Sequence, residues 1–184
     1  MRILFFIALI FLVGCSKYAD YNYEITSVTA TNADNAGPEP VAGMDTVNSA
    51  SYCIQLHVVA SLTAIDDKGH LDEYESSQIN QDKLSSYTIT CLNYFDSVID
   101  SGDVMNDYFL FSRNNVFNSN NTIARMVSLN ELGGGINVAK MYKETDNYLF
   151  LMAPPQTAGT YTFVMKAVYE NGKTFNNTVT VYLQ

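Results

Sequence analysis

The chain is short of the residues on which most chemistry and most nucleic-acid binding depend. It has two histidines, three cysteines and no tryptophan. So few histidines leave little material for a metal centre or a nucleophile–base pair, and no Gly-x-Ser-x-Gly elbow occurs. Cations are scarce as well, with 10 Lys plus Arg against 19 Asp plus Glu and a net charge of −9. Phosphate binding needs clustered cations, so no nucleic-acid partner is expected. Also missing is an apolar run of the roughly 20 residues that a membrane-spanning helix needs. The longest run, Ile3 to Val13, is too short.

That run is informative in another way. Arg2, the apolar stretch and the small residue Gly14 form a secretory signal. The sequence Leu12-Val13-Gly14-Cys15 then reads as a lipobox, with Cys15 the lipidated first residue of the mature chain. Residues 1–14 are the expected signal peptide, 15–22 a tether, and 23–184 one folded domain. The expected partner at this end is the membrane, reached through the lipid.

Beyond the tether, Tyr, Val, Ile and Thr recur in strand-like runs. Tyr23 to Thr31 predicts a first strand. Tyr23 and Ile25 lie on one face and Val28 and Ala30 on the other, so a bulge or a switch between sheets near Ser27 is expected. Asn32 to Asn48 is rich in turn residues and predicts a long loop. From Ala50 to Ile65 the alternation is clean: Ile54, Leu56, Val58, Ala60, Leu62 and Ala64 on one face, Gln55, His57, Ser61 and Thr63 on the other. Tyr87 to Asp96 predicts a further strand, with Ile89, Cys91 and Phe95 on one side. Between Val98 and Asp146 the pattern weakens. Asn106 to Phe111 opens a strand or a helical turn, and Ile123, Met126 and Val127 suit a short helix over Thr122–Leu132, stopped by Gly133-Gly134-Gly135. Tyr148 to Met152 is an apolar run of strand length. Tyr161 to Tyr169 and Phe175 to Leu183 alternate around Asn171-Gly172, a two-residue hairpin signal whose turn positions both need positive φ. The expected fold is an all-β, antiparallel β-sandwich with long loops and at most one short helix.

The closing pattern, Pro154-Pro155 followed by Gly159-Thr160-Tyr161-Thr162-Phe163 and Asn171-Gly172-Lys173-Thr174-Phe175, resembles the last two strands of bacterial immunoglobulin-like domains. Together with the lipobox, the first strand, and the stretch from Asn93-Tyr94-Phe95-Asp96 to Asn106-Asp107-Tyr108-Phe109, it is similar to small Bacteroidetes lipoproteins that carry a domain of unknown function. The resemblance implies a lipid-anchored immunoglobulin-like sandwich in the cell envelope, on the outer membrane. It brings no catalytic residues and no cofactor. Surface export in such proteins goes with acidic residues directly after the lipidated cysteine. Here only Asp20 is acidic and Lys17 intervenes, so the periplasmic and the surface face both stay open. In that phylum, short Asp-Ser/Thr-apolar sequences accept O-glycans. Asp45-Thr46-Val47 and Asp96-Ser97-Val98 fit, which makes Thr46 and Ser97 candidates, with Thr46 expected to be the more accessible.

Other candidate chemistry is weighed by spacing. Once Cys15 is lipidated, Cys53 and Cys91 are the remaining thiols, and an oxidising compartment favours a disulfide. Their strand faces disagree, however, and a bridge needs converging Cβ vectors. Two free, buried thiols are the other arrangement. Cys53 and His57 share a face but lie about 13 Å apart along an extended strand, too far for a dyad. Asp66 to Glu73 gathers carboxylates around Gly69, but with the wrong spacing for a calcium loop, and Asp100, Asp103 and Asp107 form a looser acidic group. No metal site is expected. The expected role is non-enzymatic, in binding or assembly with a protein or glycan partner. A glycan-associated or carbohydrate-binding accessory protein is the alternative.

Overall fold

The computed structural model describes residues 19–67, 78–80, 82–112, 126–128 and 144–184. Two β-sheets face each other as a sandwich, and no α-helix occurs among the described residues. The first sheet contains β1 (Ala19–Asp34), β2 (Val41–Ala42), β4 (Tyr52–Asp67), β5 (Gln78–Asn80), β7 (Phe109–Ser112), β8 (Met126–Ser128) and β9 (Glu144–Leu151). Its order is β2-β1-β4-β9-β7-β8, with β5 running parallel to the start of β1. The second sheet contains β3 (Thr46–Val47), β6 (Leu84–Cys91), β10 (Gly159–Tyr169) and β11 (Thr174–Leu183), in the order β3-β11-β10-β6. Apart from β1/β5 and β3/β11, the pairs are antiparallel.

The first strand starts earlier than its sequence predicts. Ala19 to Asn22 pair with β4, so half of the expected tether is strand. Of the bulge and the sheet switch, the bulge is present: Ile25 faces Ala60 and Ser27 faces Val59, leaving Thr26 over. A second bulge leaves Thr63 over on β4, and Leu62 and Ala64, expected on the apolar face, are exposed there. Each extra threonine hydroxyl donates to a carbonyl of the facing strand, Thr26 to Val59 at 3.2 Å and Thr63 to Asn22 at 3.1 Å. The switch at Thr26 lets Tyr23, Ile25, Val28 and Ala30 all pack on the same core, although their parity along the chain changes.

Phe163 sits at the centre of that core. Its ring lies 5.7 Å from those of Tyr52 and Phe109 and 6.4 Å from that of Phe95, which in turn meets Tyr108 and Tyr161 edge-on. The Tyr161 hydroxyl donates back to the Thr157 carbonyl at 2.6 Å, the kind of tyrosine corner known from immunoglobulin-like sandwiches. Asn32 ties the sheets together at one edge. Its amide donates to the Thr180 carbonyl on β11, and its oxygen accepts from the Tyr52 hydroxyl. Burial pushes that hydroxyl far above its ordinary pKa, so it stays a donor.

Two expectations are corrected here. Met126–Ser128, placed in a short helix by the spacing of Met126 and Val127, is a strand paired with β7. A partner strand outweighs a three-residue periodicity. The hairpin joining β10 to β11 has a three-residue loop, Glu170-Asn171-Gly172, because Tyr169 and Lys173 still bond across it. The Gly172 N–H closes a turn onto the Tyr169 carbonyl, and Gly172 takes the left-handed conformation required, at φ 84°. Asn106 to Phe111 realises both readings in turn, a 3-10 turn over Asn106–Tyr108 and then β7.

Candidate functional site

The inner face of β9 changes character along its length. Leu149 and Leu151 enter the core, but the preceding inward positions are Asn147 and Thr145, set opposite Leu56 and Val58 of β4. Asn147 is only 2% exposed. Neither its side-chain nitrogen nor its oxygen has a hydrogen-bond partner, and the same holds for the Thr145 hydroxyl. Across the gap, β6 contributes Tyr87, whose buried hydroxyl is also unpartnered. Between them lies a cavity of about 30 Å³. Leu56, Val58 and Phe111 wall it on the first sheet, and Leu84, Ala167 and Tyr169 on the second.

This combination is unusual, because buried polar groups are nearly always paired. Leaving one unpaired costs about 1–3 kcal/mol. The walls are apolar, and the polar groups packed beside the space do not ionise near neutral pH. Asn147 has no titratable proton in that range. Burial raises Tyr87 far above its ordinary value, with the neighbouring Tyr169 adding to it. Tyr169 is pushed up to about 12, first by burial and then by the Asp82 carboxylate. These groups can therefore donate and accept hydrogen bonds in their neutral forms.

Asp82 closes the neighbouring end of the sandwich. Its side chain is fully buried and accepts from the Ile25 N–H of β1, from the Asn171 amide and, at 3.1 Å, from Lys173. Lys173 also reaches Glu24 at 3.0 Å. One carboxylate thus joins the first sheet, the turn before β6 and the β10–β11 hairpin. Burial pulls the Lys173 pKa down, but hydrogen bonds and charge from Glu24 and Asp82 outweigh it and raise the value.

Residues 25–180 match a family described as Domain of unknown function (DUF5034). The chain belongs to that family. No curated protein and no solved structure matches it. The DUF5034 match runs from Ile25 in β1 to Thr180 in β11, so the cavity and the Asp82 cluster both lie inside it.

The residues singled out from sequence fall elsewhere in the DUF5034 chain. Cys15 lies outside the described residues, as do Gly133–Gly135 and residues 68–73 of the acidic stretch. Cys53 and Cys91 do not form the disulfide that was one of the two expected arrangements; both are free and buried. Strand alternation keeps them apart, since Cys91 belongs to the core between the sheets while Cys53 packs with Ala33 and Phe150 in a separate cluster. Burial lifts both thiols, Cys53 to about 12. Thr46 is exposed but held in β3, where the flanking Asp45 and Val47 carbonyls accept from β11. Ser97 is exposed at the tip of a turn in which Asp96 accepts from the Val98 and Ile99 N–H groups. His57 pairs with Asp146 at 2.8 Å, both about two-fifths exposed. Among the described residues, no three His, Cys, Asp or Glu side chains gather at metal-binding distance. In the second acidic group, Asp103 accepts from the Asp100 N–H and so shapes a turn.

Sequence reasoning missed Tyr87, Thr145 and Asn147. The signal was present: Asn147 shares an inward parity with Leu149 and Leu151. It was hidden because the apolar run that marks the strand starts only at Tyr148, whereas the strand itself starts at Glu144.

Proposed function

We propose that this DUF5034 protein is a lipid-anchored envelope protein that binds a partner without transforming it. In this reading Cys15 carries the lipid, holds the sandwich at the outer membrane, and leaves the domain facing the water. The observation that supports binding over catalysis is the composition of the inter-sheet cavity. Its lining is almost wholly apolar, and the polar groups packed beside it, from Asn147 and Tyr87, are unpartnered and un-ionised at neutral pH, which suits holding a molecule and not moving protons on it. The sheet edges support a binding role over assembly by strand addition. Residues 102–106 cover the outer edge of β6: Met105 donates to the Ile89 carbonyl, and Asn106 bonds both the Ile89 N–H and the Tyr87 carbonyl. β2, β3 and β8 are two or three residues long.

Cell fractionation tests the anchor. The unmodified protein should partition with membranes and Cys15→Ala should be released; equal partition of the two overturns the lipid anchor. Incubation with a bound small molecule tests the absence of chemistry. The molecule should be recovered unchanged, and its conversion at a rate that scales with protein concentration overturns a binding-only role.

A further inference from the structure

At one end of the sandwich β1 and β4 outrun the core. They stay paired to their ends, down to Ala19 opposite Asp67. A half-buried strand alternates buried and more exposed positions, and β4 does so from Ile54 to Ala60. From Ser61 to Ile65 every residue is exposed. Both faces of β4 are therefore in water here, and the ribbon of β1 and β4 projects past the core.

That ribbon is not polar throughout. Leu62 is 44% exposed and Ile65 56%. The bulge at Thr63 brings the two together. Leu62 stands opposite Tyr23 and Ile65 opposite Tyr21, positions two residues apart on β1, so Leu62 and Ile65 belong to one face. Without the extra residue they would fall on opposite faces.

The place of this face in the chain selects its partner. β1 begins at Ala19, four residues after Cys15, which is proposed above to carry the lipid. Four residues span at most about 14 Å, so the lipid holds the bilayer within that reach of the projecting end. A protein partner suits the face less well. Two aliphatic side chains offer far less than the roughly 800 Å² per partner of a stable protein interface. A bilayer needs no matching surface. Two such side chains alone would hold a protein on a membrane weakly, but beside a lipid already inserted the contact becomes intramolecular. Asp20, Asp66 and Asp67 share this end of the ribbon, which favours a zwitterionic leaflet over an anionic one.

We propose that Leu62 and Ile65 form a membrane-docking face, which enters the interfacial region of the bilayer beside the Cys15 lipid and stands the sandwich on its β1–β4 end. The inference rests on the lipid anchor proposed above and adds an orientation to it. The opposite end is then presented to the water. Tyr182 lies there, just past Thr180, whose carbonyl meets Asn32 roughly 33 Å along β1 from Asn22.

The chain has no tryptophan, so an introduced one reports its own surroundings. The full chain, lipidated at Cys15, is made as Ile65→Trp and as Tyr182→Trp and added to phosphatidylcholine vesicles with doxyl-labelled acyl chains. Ile65→Trp should emit at shorter wavelength and be quenched about two-fold or more. Tyr182→Trp, also at an exposed position, should keep its emission. Leu62→Asp added to Ile65→Trp should remove most of the quenching, and both positions are exposed, so the core is undisturbed. Unquenched tryptophan at position 65, equal quenching at 65 and 182, or quenching that Leu62→Asp leaves unchanged overturns the docking face. A second copy of the chain is the competing occupant. The Cys15→Ala chain should sediment as a monomer, and a dimer that Leu62→Asp dissolves overturns the proposal. Flotation with the vesicles is read on the same samples. Protein that floats with its tryptophan unquenched refutes the docking face alone, whereas protein that fails to float refutes the anchor and the docking with it.

Discussion

Replacing Asp82 is the sharpest test of how the two sheets are held together. The carboxylate is fully buried and meets donors from two other parts of the fold: the Ile25 N–H of β1, and the Asn171 amide and Lys173 ammonium of the β10–β11 hairpin. Asp82→Ala strands the Ile25 N–H in a buried position, at about 1–3 kcal/mol. It also breaks the pair with Lys173. Breaking a fully buried pair costs about 3–5 kcal/mol, but Lys173 is 32% exposed and keeps Glu24 at 3.0 Å. That partner and solvent screening move the pair toward the low end. Together these give about 4–6 kcal/mol, a large share of the ~5–15 kcal/mol typical of a domain. Urea unfolding of the full Cys15→Ala chain, followed by circular dichroism, reads the loss as a lower midpoint at an unchanged slope. Lys173→Met should cost less, about 1–2 kcal/mol, because Asp82 keeps two neutral donors. Asp82→Asn combined with Lys173→Met removes both charges and keeps the volume. It should be less damaging than the sum of its single changes by about 1 kcal/mol or more. A loss below about 1 kcal/mol for Asp82→Ala, or strict additivity in the double variant, would refute the claim that this carboxylate clamps the sheets.

Four further outcomes follow from the same geometry. Gly172→Ala should cost about 1–2 kcal/mol, since φ 84° is a left-handed conformation and nothing crowds the added Cβ; Gly172→Asn should cost less, and equal melting of all three proteins would count against the turn. Alkylating reagents should leave Cys53 and Cys91 untouched in the native protein and label both after unfolding without reductant, whereas a single bridged species would contradict the free thiols. The Asp96 carboxyl titrates below its ordinary range, first because the Tyr108 hydroxyl donates to it and then because the Ile99 and Val98 N–H groups do. Its contribution to stability is therefore present above the ordinary carboxyl range and lost as pH falls through the lowered value. Tyr108→Phe should bring its NMR titration back up, and no change would refute the bond. Lys173 has the opposite sign. With its pKa raised, its contribution holds below about pH 10.5 and fades as pH climbs through the higher folded value. In the alkaline limb of a pH–stability profile, Lys173→Met should converge on the parent protein.

The parts of this fold that were legible in the sequence are those where one face is buried and the other is wet. Ile54, Leu56, Val58 and Ala60 alternate because β4 has core on one side only, and the same holds for Tyr161 to Tyr169 in β10. The break in parity at Thr26 was legible too; a bulge was one of two ways to account for it, a sheet switch the other, and the pairing with β4 selects the bulge. Short edge strands were not. β2 and β3 lie inside a stretch that reads as loop, and only a partner strand makes them strands. Asp82 was invisible for a similar reason. Its three donors are distant in sequence, and nothing near Asp82 itself marks it as buried. The disulfide alternative arose from compartment chemistry, and the same alternation that predicts the strands decides against it.

Asn147 marks the boundary between what a strand pattern encodes for folding and what it encodes for use. A strand selected only for packing would continue Leu151 and Leu149 with another apolar residue at Asn147, and Thr145 would be the place to stop. A buried amide with no partner instead costs stability, by about 1–3 kcal/mol. It follows that Asn147→Leu should stabilise the protein, with its Tm rising by a few degrees. A variant that melts lower than the parent would refute the unpaired amide and make Asn147 a residue whose hydrogen bonds hold the fold.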